Sequence, residues 1–567
     1  MKRIAIVLCV ALTFAGIGWA AYRAVEPAVQ PMSKYIPAGP LLYLEAKDFS
    51  FLLGDWNSSK QKRQWVQSDS YEIFSRSRLF LRLKGASDQF AAAAGLPPDL
   101  NFLSQVSGGH SVFAFYDIGN LQFLYITFLP SAKSMETTLW QARAKFEPRS
   151  AGGVSFYLRR DPESKREVAF AISGDYLLLA TREDLMAGAL SLMSGQAGRT
   201  VENEQWWAQS TAAARHAGDL RMALDLEKLV PNGYFRTYWV QQNITDLSQY
   251  SAAVSDLFRE SNQYREERVL IRKKDLEQSA SAEGLVAAAD LARLVPGNAG
   301  VYFARANPTA DSCFALLETK LLAPHLGSVP ASQMAPQVQL TSGEQGGASD
   351  LETRIDQLPP ERPATQSTSA LQELLHTTPI LASLQVQTTE RDVGGVFVRI
   401  HSAVVLMAAS EWNDADVRSA LADFVRPSLT ADRFGVAWQQ RSGHQELDGL
   451  WPLAASVRGK YLLVSDDPTL VESMVANFSR KSDHEPAAFL AGFNHQRERT
   501  NFKRLTSLID RAGGSASNSK GAERQPQFFS GNMASLSATL GEVSAARIEV
   551  RSDGNRVRQT VTYEWLQ

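Results

Sequence analysis

The strongest constraint on this chain is that it repeats itself. Gly174-Asp175-Tyr176-Leu177-Leu178-Leu179-Ala180-Thr181 returns 285 positions later as Gly459-Lys460-Tyr461-Leu462-Leu463-Val464-Ser465-Asp466. Upstream, Met135 and Leu139 correspond to Val417 and Leu421, an offset of 282. Ile36-Pro37-Ala38-Gly39 before Leu41-Leu42-Tyr43-Leu44 matches Val295-Pro296-Gly297-Asn298 before Gly300-Val301-Tyr302-Phe303, an offset of 259. Several anchors in one order at similar spacing predict two tandem units, 31–285 and 286–567, because internal self-similarity marks a repeated architecture. The shorter first offset demands an insertion early in the second unit. Gly327 to Ser369, rich in Pro, Gly, Ser, Thr and Gln and without apolar period, supplies it. Such a composition buries too little to offset the entropy of ordering, so 327–369 is expected to be a disordered excursion. Gly513-Gly514-Ser515 within 512–521 marks a second flexible loop.

Within a unit the patterns mix. Val112 to Tyr116 and Phe123 to Phe128 flank Asp117-Ile118-Gly119-Asn120 and predict a hairpin. A helix is predicted from near Ser134, with Met135, Leu139, Ala142 and Phe146 on one stripe. Val154 to Leu158 and Val168 to Ile172 form a second strand pair. The strand from Tyr176 feeds a helix through Thr181-Arg182-Glu183-Asp184, which has the form of a capping box. In the second copy Asp467-Pro468 makes the same boundary with an N-cap and a proline at the first helical position. Each unit ends on a predicted hairpin, with turns at Glu260-Ser261-Asn262-Gln263 and Ser552-Asp553-Gly554-Asn555. Hairpins with interspersed helices predict an α+β fold: two pseudo-symmetric units, each an antiparallel sheet with helices packed on it.

The first thirty residues set an expected compartment. Lys2 and Arg3 precede an uncharged run from Ile4 to Ala21, closed by Tyr22-Arg23. A positive start before an apolar core reads as an export signal. Eighteen helical residues reach about 27 Å, enough to cross a thin hydrocarbon core. Residues 1–30 are therefore a signal peptide, cleaved after Ala20, or an uncleaved anchor held by Trp19 and Tyr22 at the interface. Either way the rest is expected outside the cytoplasm, anchored in the inner membrane or secreted to the periplasm. Cys9 falls inside the run, so Cys313 is the sole cysteine of the exported part and no internal disulfide forms there. It is expected to be a small buried hydrophobe.

Composition excludes rather than selects. With 58 Lys+Arg against 60 Asp+Glu, no domain-wide basic excess exists to displace counterions from a phosphate backbone, so nucleic acid is not an expected partner. Among eight histidines the closest pair, His484 and His495, is eleven apart, and no metal-binding spacing occurs. Nucleophile-elbow, phosphate-loop and dinucleotide-loop motifs are missing as well, so no cofactor and no catalytic residue is assigned. Gly108-Gly109-His110-Ser111, leading into a strand, reads as a turn or bulge. One local bias remains. Lys60, Lys62, Arg63, Arg76, Arg78, Arg82 and Lys84 oppose only Asp69 and Glu72, and interleave with Trp65, Tyr71, Phe74, Phe80 and Leu81. Such a stretch near an anchor can lie on anionic head groups, or it is a solvated helix face over the core. Trp56 and Trp206-Trp207 are read as core anchors before binding patches.

The start Tyr35-Ile36-Pro37-Ala38-Gly39, the Gly-x-Tyr-Leu-Leu strand leading into a helix, and the single export segment resemble bacterial envelope proteins grouped as domain of unknown function 3352. That resemblance implies a bacterial extracytoplasmic protein and carries over no catalytic residue. The expected function is non-catalytic binding or scaffolding in the cell envelope, with a lipid or an envelope protein as partner. The competing expectation is a hydrolase of envelope polymer or peptide, with its site in a cleft between the units.

Overall fold

The computed structural model describes residues 31–67, 71, 75–76, 78–94, 101–130, 138–162, 165–214, 216–233, 247–273, 281–322, 369–391, 398–429, 437–441, 443–448, 453–498 and 543–565. The segments 1–30, 327–368 and 512–521, which the sequence reads as an export segment, an insertion and a flexible loop, lie outside them. No helix of the described residues is long and apolar enough to cross a membrane. The fold is α+β, its strands pairing antiparallel. The chain divides into a first unit, 1–59 with 76–256, and a second, 60–75 with 257–567.

The first unit's sheet contains β1 (Leu42–Ala46), β2 (Ser111–Asp117), β3 (Gln122–Phe128), β4 (Glu147–Ala151), β5 (Val154–Arg160), β6 (Glu167–Ser173), β7 (Tyr176–Ala180) and β8 (Leu220–Asp225). Their spatial order is β4-β5-β6-β7-β3-β2-β1-β8. Directly paired residues share a face, so the register writes out two rows. Leu44, Phe113, Tyr125, Leu179, Phe170 and Tyr157 cross one face. Tyr43, Ala114, Leu124, Ala180, Ala169 and Leu158 cross the other and are buried. The helices α1 (Phe49–Ser58), α3 (Arg78–Ala94) and α4 (Asn101–Val106) belong to this unit, whereas α2 (Lys60–Val66) groups with the second. Ala93 and Ala94 of α3 and Val106 of α4 pack on the aromatic face with Tyr125, Phe170 and Leu179. On the other face lie α5 (Glu183–Met193), burying Leu185, Met186, Ala189 and Leu190, and α6 (Gln205–Ala213). Trp207 of α6 meets Tyr43 edge to face at 4.4 Å.

Several sequence expectations are corrected in this unit. The Thr181 hydroxyl does not cap α5. It accepts from the Phe123 N–H at 2.8 Å, which ties the end of β7 to β3. The N-cap is Arg182, without a side-chain bond, and the Glu183 N–H donates to Glu167 Oε2 at 2.9 Å instead. A distant carboxylate thus satisfies the helix end that a local one was expected to serve. The helix expected from Ser134 is described from Thr138 as one α turn and one 3-10 turn ending at Lys145, with Phe146 as its C-cap and β4, unanticipated, beginning at Glu147. Trp206 and Trp207 are buried, but Trp56 on α1 is 47% exposed. Gly108 is required by space, since a Cβ there would stand 2.2 Å from the Phe128 carbonyl oxygen.

In the second unit β9 (Tyr250–Arg259), inside which the division falls, leads to β10 (Gln263–Arg272). The remaining strands are β11 (Val301–Ala306), β12 (Ile380–Arg391), β13 (Val398–Ala408), β14 (Ala437–Gln440), β15 (Gln445–Asp448), β16 (Leu453–Arg458), β17 (Tyr461–Ser465), β18 (Phe489–Phe493), β19 (Val543–Asp553) and β20 (Arg556–Trp565). Their order is β14-β15-β16-β17-β13-β12-β11-β18-β19-β20-β10. Its first eight positions repeat the first unit's order strand for strand. Details repeat too: Gly174 and Gly459 turn with φ of +59° and +56°. Asp466 Oδ1 accepts from the Ser402 N–H at 2.8 Å, as Thr181 does from Phe123.

One face of this sheet packs on α7 (Ala282–Ala292). The other carries α8 (Ala310–Leu317), α9 (Ala370–Thr377) and α10 (Asp414–Leu429). The helix α11 (Pro468–Ala476) joins α7 on the first face. Asp467 caps it and Pro468 opens it, as the sequence indicates. Cys313 is buried against Leu317 and Leu406, and burial pushes its thiol pKa up to about 12.

Candidate functional site

The first unit contains a half-open cavity of about 1220 Å³ between the aromatic face of its sheet and the helices above it. Its walls follow from the register. Leu44 on β1, Phe113 and Phe115 on β2, Phe123 and Tyr125 on β3 and Leu179 on β7 occupy alternate positions and face one side. Phe49 of α1, Phe90 and Ala93 of α3 and Val106 of α4 close the opposite side. The rings lock one another: Phe113 stacks on Phe123 at 4.8 Å, meets Phe115 at 4.6 Å, and Phe90 lies 5.8 Å from Phe123. Interlocked rings of this kind hold their rotamers, so the apolar wall is pre-formed.

The two ends differ. At the Ser111 end the polar groups satisfy each other. Ser111 Oγ and Thr127 Oγ1 share a hydrogen bond of 2.6 Å, Thr127 Oγ1 accepts from the Gly108 N–H at 3.0 Å, and the Tyr125 hydroxyl donates to the Val106 carbonyl at 2.9 Å. Burial raises the Tyr125 pKa, which keeps that hydroxyl un-ionised. His110 binds Glu45 at 2.6 Å, and no described serine or threonine of the cavity bonds a histidine. At the other end three polar segments meet: the β2–β3 turn (Asn120, Leu121, Gln122), the β5–β6 turn (Lys165, Arg166) and the start of α5 (Arg182, Glu183, Asp184). Arg166 donates to the Asn120 carbonyl at 3.2 Å and Arg182 to Gln122 Oε1 at 3.1 Å, so the three segments are tied together. Four strand steps separate Phe115 from Ser111, about 14 Å at strand rise, so the cavity runs along the strands.

The second unit handles the matching face differently. Phe303, Gln385, Val404, Val464 and Ala455 stand in the row that Leu44, Phe113, Tyr125, Leu179 and Phe170 form in the first. Leu317, Leu321, Leu371, Leu375, Val417 and Leu421 pack against that face's buried aliphatic side chains. The same strand order thus carries a filled aliphatic layer in one unit and an aromatic cavity in the other.

The basic residues singled out by sequence do not form one element. Lys60, Lys62 and Arg63 lie on α2, which groups with the second unit, whereas Arg76, Arg78, Arg82 and Lys84 lie in the first. Arg63, Arg76 and Lys84 are exposed and Lys62 is half-buried. Lys62, Arg63, Arg76 and Lys84, whose side chains are described, are not among the residues that line the cavity. Among the described residues no group of three or more His, Cys, Asp or Glu is placed to hold a metal ion. In the sequence the aromatic residues of β2 and β3 read as strand formers, and Asn120 and Arg182-Glu183-Asp184 as a turn and a helix boundary. The signal of the cavity itself is the density of rings at 113, 115, 123 and 125, all on one parity of two paired strands.

The chain matches no protein-family model and no curated protein sequence. Among solved structures it is similar to crystal form I of TP0453, at 11% identity over 43% of this chain and 80% of that one, with a TM-score of 0.23. Crystal form III of the same protein gives 11% identity over 48% and 89% of the two chains, with a TM-score of 0.24. Overlap that slight carries no argument about fold or function.

Proposed function

We propose that the first unit is a non-catalytic binding module for an elongated apolar ligand, carried outside the cytoplasm by the export segment at 4–21. The observation that carries this reading is the aromatic cavity of about 1220 Å³, larger than the roughly 300–1,000 Å³ typical of small-molecule sites. Apart from Glu45, which is bonded to His110, its charged lining residues gather at the turn-lined end, and its hydroxyls bond one another, so an alkyl or isoprenoid chain laid along the aromatic wall strands no hydroxyl. The repeated strand order supports descent of both units from one scaffold. On that scaffold the second unit keeps a packed core, and the first exchanges core filling for ligand space. The exposed position of Phe51 and Trp56 on α1 suits a protein working at an envelope membrane.

The test is native mass spectrometry with organic extraction on the full chain isolated from a bacterial envelope. The expected result is a co-purifying apolar molecule of defined mass, absent from an A93F variant whose new ring enters the cavity. Identical ligand content in parent and A93F, or no ligand in either even after incubation with long-chain alkyl compounds, overturns the proposal.

A further inference from the structure

Resting on that reading, we infer that the ligand is an amphiphile with one anionic head group, a carboxylate or a phosphate monoester, held by Lys165 at the turn-lined end of the cavity. Among the described residues, the carboxylates lining this end are engaged. Asp184 accepts from Arg182 Nε at 2.8 Å. Glu167 is held by Arg160 and by the Glu183 N–H. Glu183 lies 3.6 Å from Arg149. Arg166 and Arg182 reach across to the β2–β3 turn. Lys165 differs: it is exposed at the polar end of the cavity, and its ammonium has no hydrogen bond or ion pair among the described residues.

The backbone singles out the same place. Three described non-glycine residues have positive φ: Leu121 at +54°, Lys165 at +59° and Asn307 at +48°. Two of the three line this end of the cavity. Left-handed conformations cost a leucine or lysine free energy and persist where the surroundings impose them, commonly at ligand sites. Both fall at the end of the aromatic channel where the described carboxylates are already paired. An alkyl chain laid along the strands, against Phe115, Phe123 and Tyr125, places its terminal group at that end. An anion there gains a cation that no protein carboxylate occupies, and a neutral head group gains none.

The test is displacement of the neutral fluorophore N-phenyl-1-naphthylamine from the full chain by hexadecanoate, hexadecyl phosphate and hexadecan-1-ol, in the parent and in K165A, K165E and K165R. Both anions should displace at lower concentration than the alcohol. K165A should weaken them by about fivefold, the upper end of what one exposed charge pair contributes. K165E should weaken them further, K165R should restore them, and the alcohol should respond to none of the variants. Whichever anion displaces better names the source, a fatty acid or a phosphate-headed lipid, and either order supports the inference. Equal displacement by all three compounds, or anion preference surviving in K165E, overturns the inference while leaving an apolar binding site. Failure of all three to displace the fluorophore overturns the reading on which it rests.

Discussion

Replacing Thr181 by valine removes one acceptor and almost no volume. In the structure its hydroxyl accepts from the Phe123 N–H at 2.8 Å and lies 3.3 Å from the Phe123 carbonyl, while its own N–H donates to that carbonyl at 3.1 Å. Valine keeps the last of these and leaves the Phe123 N–H without its partner. An unsatisfied amide costs about 1–3 kcal/mol when fully buried. Thr181 is half-buried, so water recovers part of the loss and about 1–2 kcal/mol is expected. Phe123 sits in the aromatic wall, and the opening should be local: amide exchange at Phe123 should accelerate by about 5- to 30-fold. Leu124 and Ile126, buried in the middle of β3, should change less. T181S, which keeps the hydroxyl, should stay close to the parent. T181D should also retain protection, because the second unit already makes this bond with Asp466 and Ser402. The assay is hydrogen exchange resolved to single amides, with urea unfolding alongside. Unchanged exchange at Phe123 in T181V, or equal acceleration in T181S and T181V, would refute the role assigned to the hydroxyl.

Two further outcomes follow from buried charge. Asp256, 2% exposed, accepts from Arg221 Nε at 2.8 Å and Nη2 at 2.9 Å and from the Gly218 N–H at 2.9 Å, so D256A should destabilise by about 3–5 kcal/mol in urea unfolding, and R221M/D256L, which removes both charges, should lose less. Equal losses in the two variants would show that packing, not the stranded guanidinium, sets the cost. Burial raises the Asp466 pKa above its ordinary value, against the lowering effects of the Ser402 N–H and of His401, with Asp467 adding to the rise. A carboxyl whose folded-state pKa is raised stabilises most when protonated, and that contribution is lost as pH climbs from the ordinary value through the folded one. D466N, which still offers Ser402 an acceptor, should therefore match or exceed the parent's stability at pH 7 and lose that advantage in acid below the ordinary carboxylate pKa. A parent that gains on D466N as pH rises would reverse the sign.

Local chemistry made much of the architecture readable. Alternation in 112–116 and 123–128, the Asp-Gly turn at 553–554 and the Asp467-Pro468 boundary each specify backbone geometry within a few residues, and each element stands where its pattern places it. The capping box failed because the partners that matter are remote in sequence. Phe123, 58 residues away, takes the Thr181 hydroxyl, and Glu167 takes the helix N–H. Trp56 failed because a tryptophan records only that a large ring is present, and α1 buries none of its residues. The seven basic residues were adjacent in sequence, a relation that says little about which unit a helix joins.

The sequence by itself determined the α+β class, the hairpins and the recurrence of one pattern along the chain. These depend on side-chain period and turn residues, which act over a few positions. Only the tertiary structure decided that two repeats of one strand order hold different interiors. Whether a face closes over leucines or leaves an aromatic channel depends on which helices lie on it and how their side chains sum to its volume. Phe113 and Phe123 on one side and Phe90 and Val106 on the other bound one cavity only when β2, β3, α3 and α4 pack together. Lys165 became distinctive in the same way, once the fold had paired the described carboxylates around it and left an exposed ammonium at the end of the aromatic channel.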